Sequence, residues 1–263
     1  MFRVSSRSVG VLAAMLVATT ACGSSSNPKP TAAPTGLHGS ITVSAASSLS
    51  AAFEKLGREF SRRHPGTSVE LNIGSSTALV TQIQQGAPAD VFASADVANM
   101  TVLVDAKRTS GAPNVVARNR LAIVTKPGNP LHVTAVADLV NGPVVALCAA
   151  TVPCGKYAQQ IVSSVGLAIP ESSVTREPDA QATVGAVANG DADAAIVYVT
   201  DARSAGTAVQ MVEIPDAQNV IATYPAAALS GSNAPKVGRA FVAFLTSAPA
   251  QAVLASFGFL PPK

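Results

Sequence analysis

The sequence predicts an α/β protein built as two lobes. Three observations carry this: strand-length apolar runs alternate with stretches whose apolar residues recur at three- and four-residue steps, the alternation restarts after Arg118, and residues 40–263 are enough chain for two cores. The strand-helix order predicts parallel pairing with helices on the sheet faces.

Ile41-Thr42-Val43-Ser44-Ala45 reads as a buried strand. Leu49, Ala52, Phe53, Leu56 and Phe60 then form one helical stripe that fades at Arg63-His64-Pro65-Gly66. Val69-Glu70-Leu71-Asn72-Ile73 alternates as a second strand, and Leu79, Val80 and Ile83 mark a second helix that stops at Gly86. Val91-Phe92-Ala93 is a third strand, followed by Val97, Met100, Leu103 and Val104 on a third helix. Beyond Arg118, strands are expected over 121–124, 144–147 and 194–198, with helices over 157–165 and 182–188 that close near Gly166 and Gly190. A final helical region, 236–257, carries Val237, Phe241, Phe244 and Leu245 and is interrupted by Pro249.

What precedes this region says where the protein works. Arg3 and Arg7 lie ahead of an apolar stretch, Val9 to Ala18, long enough for a secretory signal but too short to span a bilayer. Residues 1–21 therefore read as a signal peptide. It ends in Thr19-Thr20-Ala21-Cys22, which resembles a bacterial lipobox with Thr19 where an aliphatic residue is common; cleavage there leaves Cys22 as a lipidated N-terminus. Residues 22–39 hold three prolines and almost nothing to bury, so they read as a flexible tether. The mature protein is expected outside the cytoplasm, anchored to the cell membrane by lipid.

Two of the 18 basic residues leave with the signal, and the rest nearly balance the 15 acidic ones. Such a chain has no basic stripe, which argues against nucleic acid or an anionic membrane surface as its main partner. Cys148 and Cys154 are the remaining cysteines, and in an exported protein such a pair is read as a disulfide. Two cysteines without nearby histidines are a poor metal site.

Two serine clusters, Ala46-Ser47-Ser48-Leu49 and Gly74-Ser75-Ser76-Thr77, each close an apolar run and open a helical pattern. Backbone N–H groups at a helix start are unpaired and carry the positive end of the helix dipole, so hydroxyl residues there can cradle an oxyanion without a formal cation. Taken singly, Ser48 and Ser76 are better explained as helix N-caps and Tyr198 as a core or lobe-interface aromatic; it is the shared order of motifs that reverses this. Asp90 and Asp96 flank a strand end and read as turn and cap residues rather than an acid–base pair. An exported serine hydrolase is the rival class. Its base is missing, because the histidines are His38 in the tether, His64 before Pro65 and His132 in a turn, and there is no Gly-x-Ser-x-Gly elbow. The chain is therefore read as a binding protein and not an enzyme.

Five segments, residues 41–49, 74–77, 86–96, 152–158 and 195–198, together resemble the periplasmic molybdate-binding proteins of ABC importers, in order and in spacing, from Ile41 to about Gly258. The resemblance implies a two-lobed class II periplasmic-binding-protein fold, each lobe a mixed sheet flanked by helices, with a two-strand hinge. Lobe I would comprise 40–118 plus 222–263, and lobe II 119–221. It further implies that the lobes close over tetrahedral molybdate or tungstate, with no cofactor, for delivery to the membrane permease of an ABC importer; a monomer is expected. The ligand contacts carried over are the hydroxyl and N–H of Ser48 and of Ser76, the N–H of Cys154, the N–H of Ala180 and the hydroxyl of Tyr198. Cys154 stands where the family commonly has Ala, and Asp179-Ala180-Gln181 where it has Asp-Val-Arg or Asp-Val-Lys; both positions would donate from the backbone, which any side chain preserves. A binding protein for sulfate, phosphate or another small solute is the alternative on the same fold.

Overall fold

In strand β1 (Gly39–Ala46) the alternate residues Ile41, Val43 and Ala45 are fully buried, as its apolar alternation requires. The structure, a computed structural model, describes residues 36–263; the expected signal peptide, Cys22 and most of the tether lie outside the described residues. A 3₁₀ turn, Ser47–Leu49, leads into α1 (Ser50–Arg63), which buries the predicted stripe of Ala52, Phe53, Leu56 and Phe60. Next come β2 (Thr67–Gly74), α2 (Ser76–Gln84), β3 (Val91–Ala93) and α3 (Val97–Asp105) in the expected order. An unpredicted strand, β4 (Asn114–Asn119), runs through the single residue Arg120 into β5 (Leu121–Thr125).

The second half continues with β6 (Val145–Cys148), α4 (Pro153–Ser164), β7 (Val174–Glu177), α5 (Ala180–Ala188), β8 (Ala194–Tyr198), α6 (Val199–Ala205) and β9 (Gln210–Glu213). The chain then returns through β10 (Ala222–Ala228), α7 (Pro235–Leu245) and α8 (Ala248–Ser256). Two helix starts differ from expectation. Helix α4 starts at Pro153 rather than 157, because proline's fixed φ suits the first helical turn. Helix α5 starts at Ala180 rather than 182, because Asp179 caps it, its Oδ1 accepting from the Ala182 N–H at 3.0 Å. The final helical region is interrupted as expected, breaking after Leu245 with Pro249 in the first turn of α8.

Two five-stranded sheets result, in the orders β2-β1-β3-β10-β4 and β7-β6-β8-β5-β9. Neither is purely parallel. In the first sheet β10 runs against both its neighbours, and in the second β5 does. These are the strands that the chain enters straight from the other sheet, so they begin at the end where the remaining strands finish. The apolar alternation sorts each sheet into two faces: in β8, Ala194, Ile196 and Tyr198 join the main core while Ala195 and Val197 pack under α5 and α6. That main core is continuous through both sheets.

Candidate functional site

Ala46, Gly74, Ala93, Cys148 and Tyr198 end parallel strands, and ligands in open α/β sheets bind beyond such carboxyl ends. A cavity lies there, lined by Ser47, Ser48, Ser75, Ser76, Cys154, Ala180 and Tyr198, among others. It holds about 200 Å³ of empty space. That is room for a small ion and far below a drug-sized pocket. Among the described residues, neither Lys nor Arg lines it, and the one charged residue that does is Asp179.

All five residues expected to touch a ligand face this one cavity, and four of them stand in the first turn of a helix. Ser48 lies inside the 3₁₀ turn, which has no side-chain cap; its Oγ is 2.9 Å from the Tyr224 hydroxyl. The cap of α2 is Ser75, whose Oγ accepts from the Ala78 N–H at 3.3 Å. Ser76 comes one residue later, and its Oγ accepts from the Ala95 N–H at 3.0 Å. Neither Ser48 nor Ser76 is therefore the N-cap that a residue-by-residue reading also permits. Because Pro153 has no N–H, Cys154 carries the first amide proton of α4; Ala180 carries the first of α5.

The surroundings fix these groups. Cys148 and Cys154 are joined by a disulfide, with Cα atoms 5.8 Å apart, tying the start of α4 to the end of β6. Gly155 allows the same approach from the helix side, since a Cβ there would sit 2.1 Å from the Ala149 carbonyl oxygen. Asp90 and Asp96 are structural, as expected. Asp90 accepts from the Thr42 N–H at 2.7 Å and the Asn233 N–H at 3.1 Å, while Asp96 caps α3 through the Asn99 N–H at 2.8 Å.

The chain's three tyrosines form an edge-to-face ladder beneath the cavity, with Tyr157 to Tyr198 at 6.4 Å and Tyr198 to Tyr224 at 5.8 Å between ring centroids. The Tyr198 hydroxyl is buried and has no hydrogen-bond partner among the described residues. Burial holds the Tyr198 and Tyr224 phenols well above the usual range and pushes Tyr157 up to about 12, so all three keep their protons. Sequence reasoning missed Tyr224 and Asn119, which lie behind Ser48, and Asp201, whose buried Oδ2 also lacks a partner. Their segments carry no motif; only the tertiary fold brings them here. A larger cavity beside Glu171 and Arg176 holds about 710 Å³ of empty space, and there Arg176 is bonded to Glu171 and to the Cys148 carbonyl.

Two sheets joined by paired crossings, with a small donor-lined cavity between them, define a solute-binding protein of the periplasmic type. The chain belongs to the bacterial extracellular solute-binding protein family, whose profile matches residues 41–260. It is 39% identical over 257 residues to the molybdate-binding protein ModA of Mycobacterium tuberculosis, covering 97% of this chain and 98% of that one. Among solved structures, the periplasmic molybdate-binding protein of Azotobacter vinelandii superposes with a TM-score of 0.78 at 21% identity, covering 85% of this chain and 100% of that one. The sulfate-binding protein SubI of Mycobacterium tuberculosis superposes with 0.75 at 21% identity, covering 85% and 87%. At those identities the two structures establish the fold alone.

Proposed function

We propose that this protein binds molybdate, and tungstate equally, between its two lobes and delivers it to the permease of an ABC importer, without a cofactor. The observation that carries the reading is the donor set: two serine hydroxyls, the unpartnered Tyr198 hydroxyl and first-turn amides converge on a cavity of ionic size. Charge-assisted hydrogen bonds from such groups stabilise a dianion, and helix starts supply partial positive charge in place of a cation. The 39% identity to a molybdate-binding relative supports the choice of oxyanion. The lobes are taken as 40–118 with 222–263, and 119–221. Lipid on Cys22 and the tether would hold the protein at the outer face of the membrane.

The likeness to a sulfate-binding protein makes sulfate the competing ligand. Selection rests on size, because fixed donors that fit molybdate leave the smaller sulfate with stretched bonds. A ligand bound only by the folded state raises the melting temperature by mass action. With molybdate, tungstate, sulfate and phosphate each at 1 mM, molybdate and tungstate should raise it far more than the other two. An equal or larger shift with sulfate replaces the reading by its alternative.

A further inference from the structure

We infer that Tyr224 and Asn119, neither of which lines the cavity, act as positioning residues that force the Ser48 hydroxyl to be a donor toward the bound oxyanion. The argument is one of hydrogen-bond polarity. Asn119 is fully buried, and its Oδ1 accepts from the Arg120 N–H at 3.0 Å. That bond fixes which way the amide faces, so Nδ2 donates to Thr200 Oγ1 at 2.9 Å and, at a longer 3.4 Å, to the Tyr224 hydroxyl. Tyr224, itself fully buried, receives this proton and has one of its own to give; among the described residues the acceptor in hydrogen-bond geometry is Ser48 Oγ at 2.9 Å, since the neighbouring Tyr198 hydroxyl makes no such bond. A serine oxygen that accepts from a phenol turns its own proton elsewhere, and Ser48 borders the cavity. The order is therefore Asn119 to Tyr224 to Ser48 to ligand.

The same logic acts on Ser76, whose oxygen accepts from the Ala95 N–H. Each bond in such a chain polarises the next, so a hydroxyl already accepting is a better donor. The relay also begins at the crossing between the sheets, because Asn119 ends β4 of the first sheet and its Thr200 contact lies on α6, which follows β8 of the second.

This inference rests on the oxyanion reading of the cavity, and a double-mutant cycle separates the two. Titration calorimetry with molybdate would be run on the wild type, Ser48→Ala, Tyr224→Phe and the double variant, with the melting temperature of each unliganded protein as the folding control. Tyr224→Phe should weaken binding about 3- to 10-fold when Ser48 is present. In the Ser48→Ala background it should change affinity less than about 2-fold, because a residue that acts through Ser48 has nothing left to act on. Equal losses in both backgrounds overturn the relay. Unchanged affinity in Ser48→Ala overturns the oxyanion reading at this residue instead. Should Tyr224→Phe fail to fold, Asn119→Asp serves: it keeps the acceptor for the Arg120 N–H but offers Tyr224 an acceptor, reversing the chain. Its loss of affinity should be larger with Ser48 than with Ser48→Ala, and equal losses again count against the relay.

Discussion

A buried hydroxyl without a partner costs free energy in a folded protein, and Tyr198 carries one at the wall of the cavity. A ligand oxygen would satisfy it. Tyr198→Phe should therefore weaken molybdate binding by roughly 10- to 150-fold, the worth of one hydrogen bond to a charged group, while leaving the unliganded melting temperature unchanged or slightly raised. Ser76→Ala makes the contrasting case. Its oxygen also accepts from Ala95, so the substitution should cost about 1 kcal/mol of stability as well as affinity. Calorimetry and thermal melting on both variants check the pair, and unaltered affinity in either removes that donor. At this scale the sequence was readable where a motif existed. Ser48, Ser76, Cys154, Ala180 and Tyr198 line one cavity, whereas Tyr224 sits in an unmarked Ala-Thr-Tyr-Pro stretch and becomes visible only through its 2.9 Å contact with Ser48.

Helix starts set the character of the site, and one of them brings a buried acid close to it. Asp201 lies in the first turn of α6, three residues after Tyr198, beside a second cavity with about 480 Å³ of empty space that shares Ser47 and Ser48 with the site. Burial, with a smaller push from Asp179, raises its carboxyl to about 8 from an ordinary 3.8. Between those values the folded chain holds a proton that the unfolded chain has released, so stability falls as pH rises from about 4 to about 8. Urea unfolding across that range should show this slope, and Asp201→Asn should flatten it. A slope unchanged by the substitution would assign the proton to another group. The legible elements were those with a clear period, such as α1 and β1. The short strands β4, β7 and β9 escaped notice because their residues are partly exposed, so neither period stands out, and the buried β10 because its alanines and Pro225 carry no strand signal.

At the scale of the whole molecule, the two sheets meet around the cavity and a bond from Thr77 Oγ1 to the Thr151 carbonyl, 3.1 Å long, spans from α2 to the turn before α4. The residues that line the cavity thus come from both sides, Ser48 and Ser76 beyond the first sheet and Cys154, Ala180 and Tyr198 beyond the second. The two-lobed α/β architecture followed from chain length and the restart after Arg118. The reversed strand in each sheet did not, because strand direction is set by where the chain crosses and not by local residues. The central claim is that an oxyanion of molybdenum occupies the space among Ser48, Ser76, Cys154, Ala180 and Tyr198. X-ray diffraction from crystals grown with molybdate, collected on both sides of the molybdenum absorption edge, locates the metal directly. The account predicts one anomalous peak in that cavity, within hydrogen-bonding reach of those donors through its oxygens; a peak elsewhere, or none at saturating molybdate, would contradict it.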